Sequence, residues 1–204
     1  MNYIRLSIKD LKFQSKNWAK EVDQKYHPDI VIYVAKAGFL IAYQFAEVMN
    51  IPLIGVVTVR EKGNKLKNFI APIIRKMPDF IRNTLIIIEL KSGIHSKNNK
   101  RASRFIDDVK IYDIATIKKV LIIDDSVDTG ASIISVKELV NKKFNNADIR
   151  IAALNVWEKS KKRVNVDFAL YENSIIKAPM SKDSKEYENF IKEYKNFLDR
   201  SKND

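Results

Sequence analysis

The sequence predicts an α/β protein with a central, mostly parallel sheet flanked by helices. Three observations carry that prediction. Short apolar, β-branched runs alternate with segments of helical period, which makes two βαβ units. The runs are apolar along their length instead of at every second residue, the pattern of strands covered on both faces. The 204 residues, 46% hydrophobic and 30% charged, suffice for one well-buried core and contain no long Pro/Gly/Ser stretch or repeat, so a single domain is expected over 1–204.

The elements follow in chain order. Ile8, Leu11, Trp18, Val22 and Tyr26 recur at spacings of three, four or seven, which predicts an amphipathic helix closing before His27 and Pro28. Residues 30–35 form a short strand, 38–50 a helix, and 51–59 a second strand introduced by Pro52. Residues 60–110 read as an insertion. Leu66, Phe69, Ile70, Ile73 and Ile74 have helical spacing that Pro72 and Pro78 interrupt, and 84–90 is strand-like. From 91 to 104 apolar residues nearly vanish, which predicts a mobile loop. The second unit comprises a strand at 120–123, a helix at 131–143 (Ile133, Ile134, Val136, Leu139, Val140) and a strand at 149–156. Tyr187, Ile191, Tyr194 and Leu198 mark a final helix over 184–200. In such a sheet, ligands sit beyond the carboxyl ends of strands, so the loops after residues 34 and 123 are the ones to inspect.

Composition excludes several functions. With no cysteine and two histidines, a disulfide framework and a thiolate or histidine zinc site are ruled out. The N-terminus has no signal-peptide core, and the longest apolar runs, such as 85–88, are too short for a bilayer, so a cytoplasmic protein is expected. Of the net charge of +12, residues 60–110 carry +8, with 13 Lys/Arg against 5 Asp/Glu. An anionic partner is implied, and charge leaves nucleic acid, a lipid surface and a polyphosphate substrate all open.

The segment richest in chemistry runs Val120, Leu121, Ile122, Ile123, Asp124, Asp125, Ser126, Val127, Asp128, Thr129, Gly130, Ala131, Ser132. A strand leads into two acids, then into a glycine turn with hydroxyls at the start of a helix. Backbone N–H groups of such a turn, together with the helix N-terminus, hold a phosphate without a lysine. Thr129 and Ser132 add hydroxyl donors, while Asp124 and Asp125 are placed to accept hydrogen bonds from vicinal ribose hydroxyls.

Position by position, this segment resembles the phosphoribosyl diphosphate motif of type I phosphoribosyltransferases, in which a strand is followed by two acids, two residues and Asp-Thr-Gly. The resemblance implies that fold, Rossmann-like with a basic hood segment. It gives Asp124 and Asp125 the ribose hydroxyls, Asp128, Thr129, Gly130, Ala131 and Ser132 the 5-phosphate, and Asp128 a further role as acid or base near the nucleobase nitrogen. Ala35, Lys36, Ala37 and Gly38 are similar to the family's pyrophosphate loop, where a non-proline cis peptide is common; Ala37 stands in place of the usual first glycine. The insertion corresponds to the flexible hood, with Lys91, His95, Lys100, Arg101 and Arg104 as candidate cations.

The segment 157–204 is expected to build the base pocket. By alignment with purine enzymes, Trp157 stands near the lysine that meets the purine 6-oxygen, with Lys159 two residues on. Phe168 and the stretch Ile175, Ile176, Lys177, Ala178 and Pro179 resemble the later wall, with Ile175 where an aromatic is common. The implied activity is transfer of ribose 5-phosphate from phosphoribosyl diphosphate to a nucleobase, a 6-oxopurine, with Mg2+ held through the substrate and by Asp124 and Asp125. The expected assembly is a homodimer or higher homo-oligomer, with no obligatory nucleic acid. Two rivals remain at this point: a non-catalytic regulator that senses phosphoribosyl diphosphate and binds nucleic acid through the insertion, and an insertion whose Phe69, Ile70, Ile73 and Ile74 lie on a membrane or a subunit.

Overall fold

The structure is a computed structural model that describes residues 3–60, 101–106 and 115–200. The chain forms two compact units, one of Met1–Thr58 with Ser103–Asp204 and one of Val59–Ala102. Most of the basic insertion, with Lys91, His95 and Lys100, lies outside the described residues.

The first helix, α1 (Ile8–Lys25), starts where Ser7 and Asp10 form a capping box: the Ser7 hydroxyl accepts the Asp10 N–H at 3.1 Å, and the Asp10 carboxylate accepts the Ser7 N–H at 3.0 Å. Its buried stripe of Leu11, Ser15, Trp18, Ala19 and Val22 packs on α2 (Phe39–Met49), with the Trp18 and Phe45 rings edge to face at 5.1 Å. Asn50 ends α2 in the left-handed region, φ 52°.

A six-stranded sheet forms the centre. Its strands are β2 (Ile30–Ala35), β3 (Leu53–Arg60), β4 (Arg101–Phe105), β5 (Lys119–Val127), β6 (Asp148–Val156) and β7 (Phe168–Glu172), in the order β4-β3-β2-β5-β6-β7. The pairings β2–β3, β2–β5, β5–β6 and β6–β7 are parallel, as the sequence predicts. Tyr33, Leu121, Ile123 and Leu154 join a core with α1, α2 and α5 (Tyr187–Arg200), while Ile32, Val34, Ile122 and Val156 join a second core with α3 (Ala131–Lys143). Alternate residues of one strand thus enter different cores, which is why the runs read as continuously apolar.

Two elements differ from the sequence reading. Arg101–Phe105 is a strand, not part of a mobile loop; its half-buried and exposed residues alternate, and an edge strand tolerates the arginines that hid it. The strand read at 120–123 continues to Val127, because Ser126 and Val127 stay in register with Asn155 and Val156 of β6. The acids are therefore strand residues, not loop residues. Two three-residue strands, β1 (Tyr3–Arg5) and β8 (Ile175–Lys177), pair in parallel as a small separate sheet, and each is too short to show a period. A one-turn helix, α4 (Glu158–Lys161), follows β6. Among the described residues no helix is long and apolar enough to cross a membrane.

Candidate active site

From β2 the chain passes through α2 to β3 on one side; from β5 it passes through α3 to β6 on the other. The adjacent carboxyl ends of β2 and β5 are thus a topological switch point, where open α/β sheets bind ligands. The two loops singled out by sequence, 36–38 and 128–130, both leave from this point.

Gly38 sets the first of them against β5. Its N–H donates to the Val34 carbonyl at 3.0 Å, and a Cβ on it would lie 2.7 Å from the Ile123 carbonyl oxygen, one residue before Asp124. Gly38 has ordinary right-handed angles, so what it contributes is space. Gly38→Ala is expected to destabilise the protein by about 1–3 kcal/mol, because the opposing atom is backbone and cannot rotate away; urea unfolding of the variant measures this. The Ala35–Lys36 peptide is cis, a feature the resemblance associates with this loop, and Ala37 is half-buried. Lys36 is exposed and donates from Nζ to the Tyr187 hydroxyl at 3.1 Å.

Asp124, 5% exposed, accepts the Asp125 N–H at its Oδ1 at 2.9 Å. Burial raises the Asp125 carboxyl above its ordinary 3.8, and hydrogen bonds with Asp124 and from the Ser126 N–H partly oppose the rise. Burial therefore makes ionised Asp125 a cost to the folded state, absent at low pH and entering as pH rises from 3.8 through the raised value. Asp125→Asn should raise the thermal midpoint at pH 8 and have little effect at pH 4; equal shifts at both pH values would remove the carboxyl as the cause.

Beyond β5, Gly130 takes φ +76° at the N-cap of α3, where no side-chain cap is made, and the helix ladder opens with Ile134 N–H to Gly130 O at 2.9 Å. The N–H groups of Ala131, Ser132 and Ile133 precede that bond and have no intrahelical acceptor, as at any helix start. Thr129 and Ser132 are half-buried beside them. Asp128 is exposed and accepts an ion pair from Lys159 Nζ at 2.6 Å, so the candidate acid or base and the candidate base-pocket lysine meet directly.

A cavity of about 200 Å³ opens beside Asp125, which lines it with Ser126, Trp157, Ile175, Ile176 and Ser181 among others. Three of the four residues expected to face the base are thus assembled with one of the two acids; Lys159 is not on the lining and is held by Asp128 instead. Phe168 is turned elsewhere, its ring 6.3 Å from that of Tyr26. The far wall is fixed by a two-way clamp, in which the buried Asn155 amide donates to Ser174 O at 2.9 Å and accepts the Ser174 N–H at 3.2 Å. Sequence reasoning passed over Asn155, although one amide inside an apolar strand was the available signal. A larger open groove of about 420 Å³, lined by Phe39, Leu40, Tyr43 and Phe197 with Lys12 and Arg200, contains none of the predicted site residues. Of the candidate cations in the insertion, Arg101 is half-buried and Arg104 exposed on β4. Among the described residues no cluster of three or more His, Cys, Asp or Glu side chains could hold a metal.

The phosphoribosyl transferase domain family model matches residues 6–182, which span both loops and the cavity. The chain belongs to the phosphoribosyltransferase family. Solved structures share the fold of this phosphoribosyltransferase at low identity. A purine phosphoribosyltransferase from Pyrococcus horikoshii Ot3 is 20% identical, with a TM-score of 0.57 over 90% of this chain and 97% of that one. A xanthine-guanine-hypoxanthine phosphoribosyltransferase from Helicobacter pylori is 15% identical, with a TM-score of 0.61 over 92% and 99%. A hypothetical protein from Neisseria gonorrhoeae with bound ppGpp is 14% identical, with a TM-score of 0.59 over 94% of each chain. No curated protein matches the chain.

Proposed function

We propose that this phosphoribosyltransferase moves ribose 5-phosphate from phosphoribosyl diphosphate to a 6-oxopurine and releases pyrophosphate. The observation that carries the reading is the convergence, at one switch point, of a helix N-terminus opened by a left-handed glycine, a pair of acids, and a cavity walled by Trp157, Ile175 and Ile176. The first-turn N–H groups of α3 and the hydroxyls of Thr129 and Ser132 take the 5-phosphate. Asp124 and Asp125 take the ribose hydroxyls, and Lys36 in its loop with Ala37 and Gly38 takes the diphosphate. With both ends of the donor held, the anomeric carbon is presented to a base stacked on Trp157, and the main contribution to rate is positioning. Asp128, beside Lys159, accepts the proton of the attacking base nitrogen.

The adjacent carboxylates of Asp124 and Asp125 are hard oxygen donors, the type that suits Mg2+, and with no third carboxylate or histidine beside them among the described residues they fit an ion brought with the substrate. Bound there, Mg2+ supplies charge neutralisation of the diphosphate. The purine assignment is supported by the acid at 128 and by the purine and oxopurine enzymes among proteins of this fold.

Incubation of purified protein with phosphoribosyl diphosphate and Mg2+ against hypoxanthine, guanine, xanthine, adenine, uracil and orotate tests the proposal. Nucleotide formation with a 6-oxopurine is the expected result. Use of adenine or a pyrimidine alone would overturn the substrate class, and no pyrophosphate release with any base would overturn the enzyme. The +8 charge over residues 60–110 favours one second reading, a phosphoribosyl diphosphate-sensing regulator of nucleic acid; salt-dependent DNA or RNA binding without turnover would establish it.

A further inference from the structure

We propose that Tyr187, at the first turn of the C-terminal helix and outside the family's motifs, is a positioning residue that holds Lys36 aimed for the diphosphate. The proposal rests on the phosphoribosyltransferase reading of the 36–38 loop. Lys36 is the cation of that loop, and its long exposed side chain would otherwise sample many rotamers. The structure restrains it through one residue: Nζ donates to the Tyr187 hydroxyl at 3.1 Å.

The chemistry of the partner matters. A carboxylate would neutralise the lysine, whereas a phenol holds it and leaves the positive charge for an anion; among the described residues no carboxylate pairs with Lys36. An ammonium has three donors, so one bond to Tyr187 leaves two for diphosphate oxygens.

Tyr187 is itself fixed. Its ring lies 6.2 Å from that of Phe190, which is fully buried, and its N–H donates to Ser184 O at 3.2 Å. The neighbouring Glu186 carboxylate accepts the Ile8 N–H at the start of α1. One turn beyond Phe190, Tyr194 packs edge to face on Tyr33 at 6.3 Å, and Tyr33 belongs to β2, the strand that ends at the Lys36 loop. Helix and loop are thus referenced to the same strand. A lysine fixed before binding loses less rotamer freedom when diphosphate arrives, so the gain appears in affinity and not in the chemical step.

The test is calorimetry with inorganic pyrophosphate and Mg2+, alongside steady-state kinetics, on wild type, Tyr187→Phe, Lys36→Met and the double variant. Tyr187→Phe keeps the ring and its packing while deleting the hydroxyl. It is expected to weaken pyrophosphate binding and raise KM for phosphoribosyl diphosphate about threefold to tenfold, since the bond is charged but exposed. The turnover number, KM for the base and the thermal midpoint should stay within twofold or within error. In the Lys36→Met background the same change should do nothing further, because Tyr187 acts only through Lys36. Unchanged pyrophosphate affinity in Tyr187→Phe, or an equal loss in the Lys36→Met background, would overturn the positioning role. A wild-type protein that binds neither pyrophosphate nor phosphoribosyl diphosphate would overturn the parent reading as well, so the two failures are distinct.

Discussion

Asp128→Asn is expected to lower turnover by about a hundredfold or more while leaving phosphoribosyl diphosphate affinity within a few-fold of wild type. The magnitude is that of a lost positioned acid or base. The site makes the substitution clean. The Asp128 side chain is 57% exposed, Lys159 is 63% exposed, and an ion pair in that setting contributes about 0–1 kcal/mol, so the fold is not at stake. An amide also keeps the shape of the turn before Gly130. Turnover measured at saturating substrates, with donor affinity from calorimetry, checks the result; equal losses in both would move Asp128 from the proton to the phosphate. Lys159→Met serves as the companion, since it breaks the same ion pair without removing the carboxylate.

Gly130→Val is the second change of large effect, and it should abolish measurable binding of ribose 5-phosphate and phosphoribosyl diphosphate. Two independent causes act together. At φ +76° a β-branched residue is strained by about 1–2 kcal/mol or more, and its Cβ would lie 2.8 Å from Cγ1 of Val164. The turn must therefore reopen, which displaces the N–H groups at the start of α3 that the phosphate needs. Gly130→Ala offers a graded control, because it carries the φ penalty and the Val164 contact with the smallest side chain. Retained binding in Gly130→Val would show that the phosphate is held elsewhere.

The two changes probe parts of the site that differed in how readable they were. The stretch proposed to hold the phosphate was legible as strand, turn and helix start because its signal is local: strand, acids, Thr129, Gly130 and helix start lie within one short stretch. The first helix was legible from the spacing of its apolar residues, whereas its capping box at Ser7 and Asp10 was not singled out, although that signal too lies within four residues. The Asp128–Lys159 contact was not legible. Both residues were picked out, yet one belonged to the turn and the other to the base pocket, and only the side-by-side course of β5 and β6 brings Lys159 to Asp128. β4 was missed because its arginines read as loop, although an edge strand needs only one covered face.

By itself the sequence determined the alternation of strands and helices, the parallel sheet, and the identity of the stretch that ends in Gly130, since each depends on periodicity or on neighbours along the chain. Only the tertiary structure decided which distant groups share a wall. Asp125 joins Trp157, Ile175 and Ile176 around one cavity, Asn155 locks Ser174, and Tyr187 meets Lys36 from 151 residues away. The reason is physical: a hydrogen bond or a packed ring is decided within a few ångströms in space, and that distance is set by strand order and helix packing, not by separation in sequence.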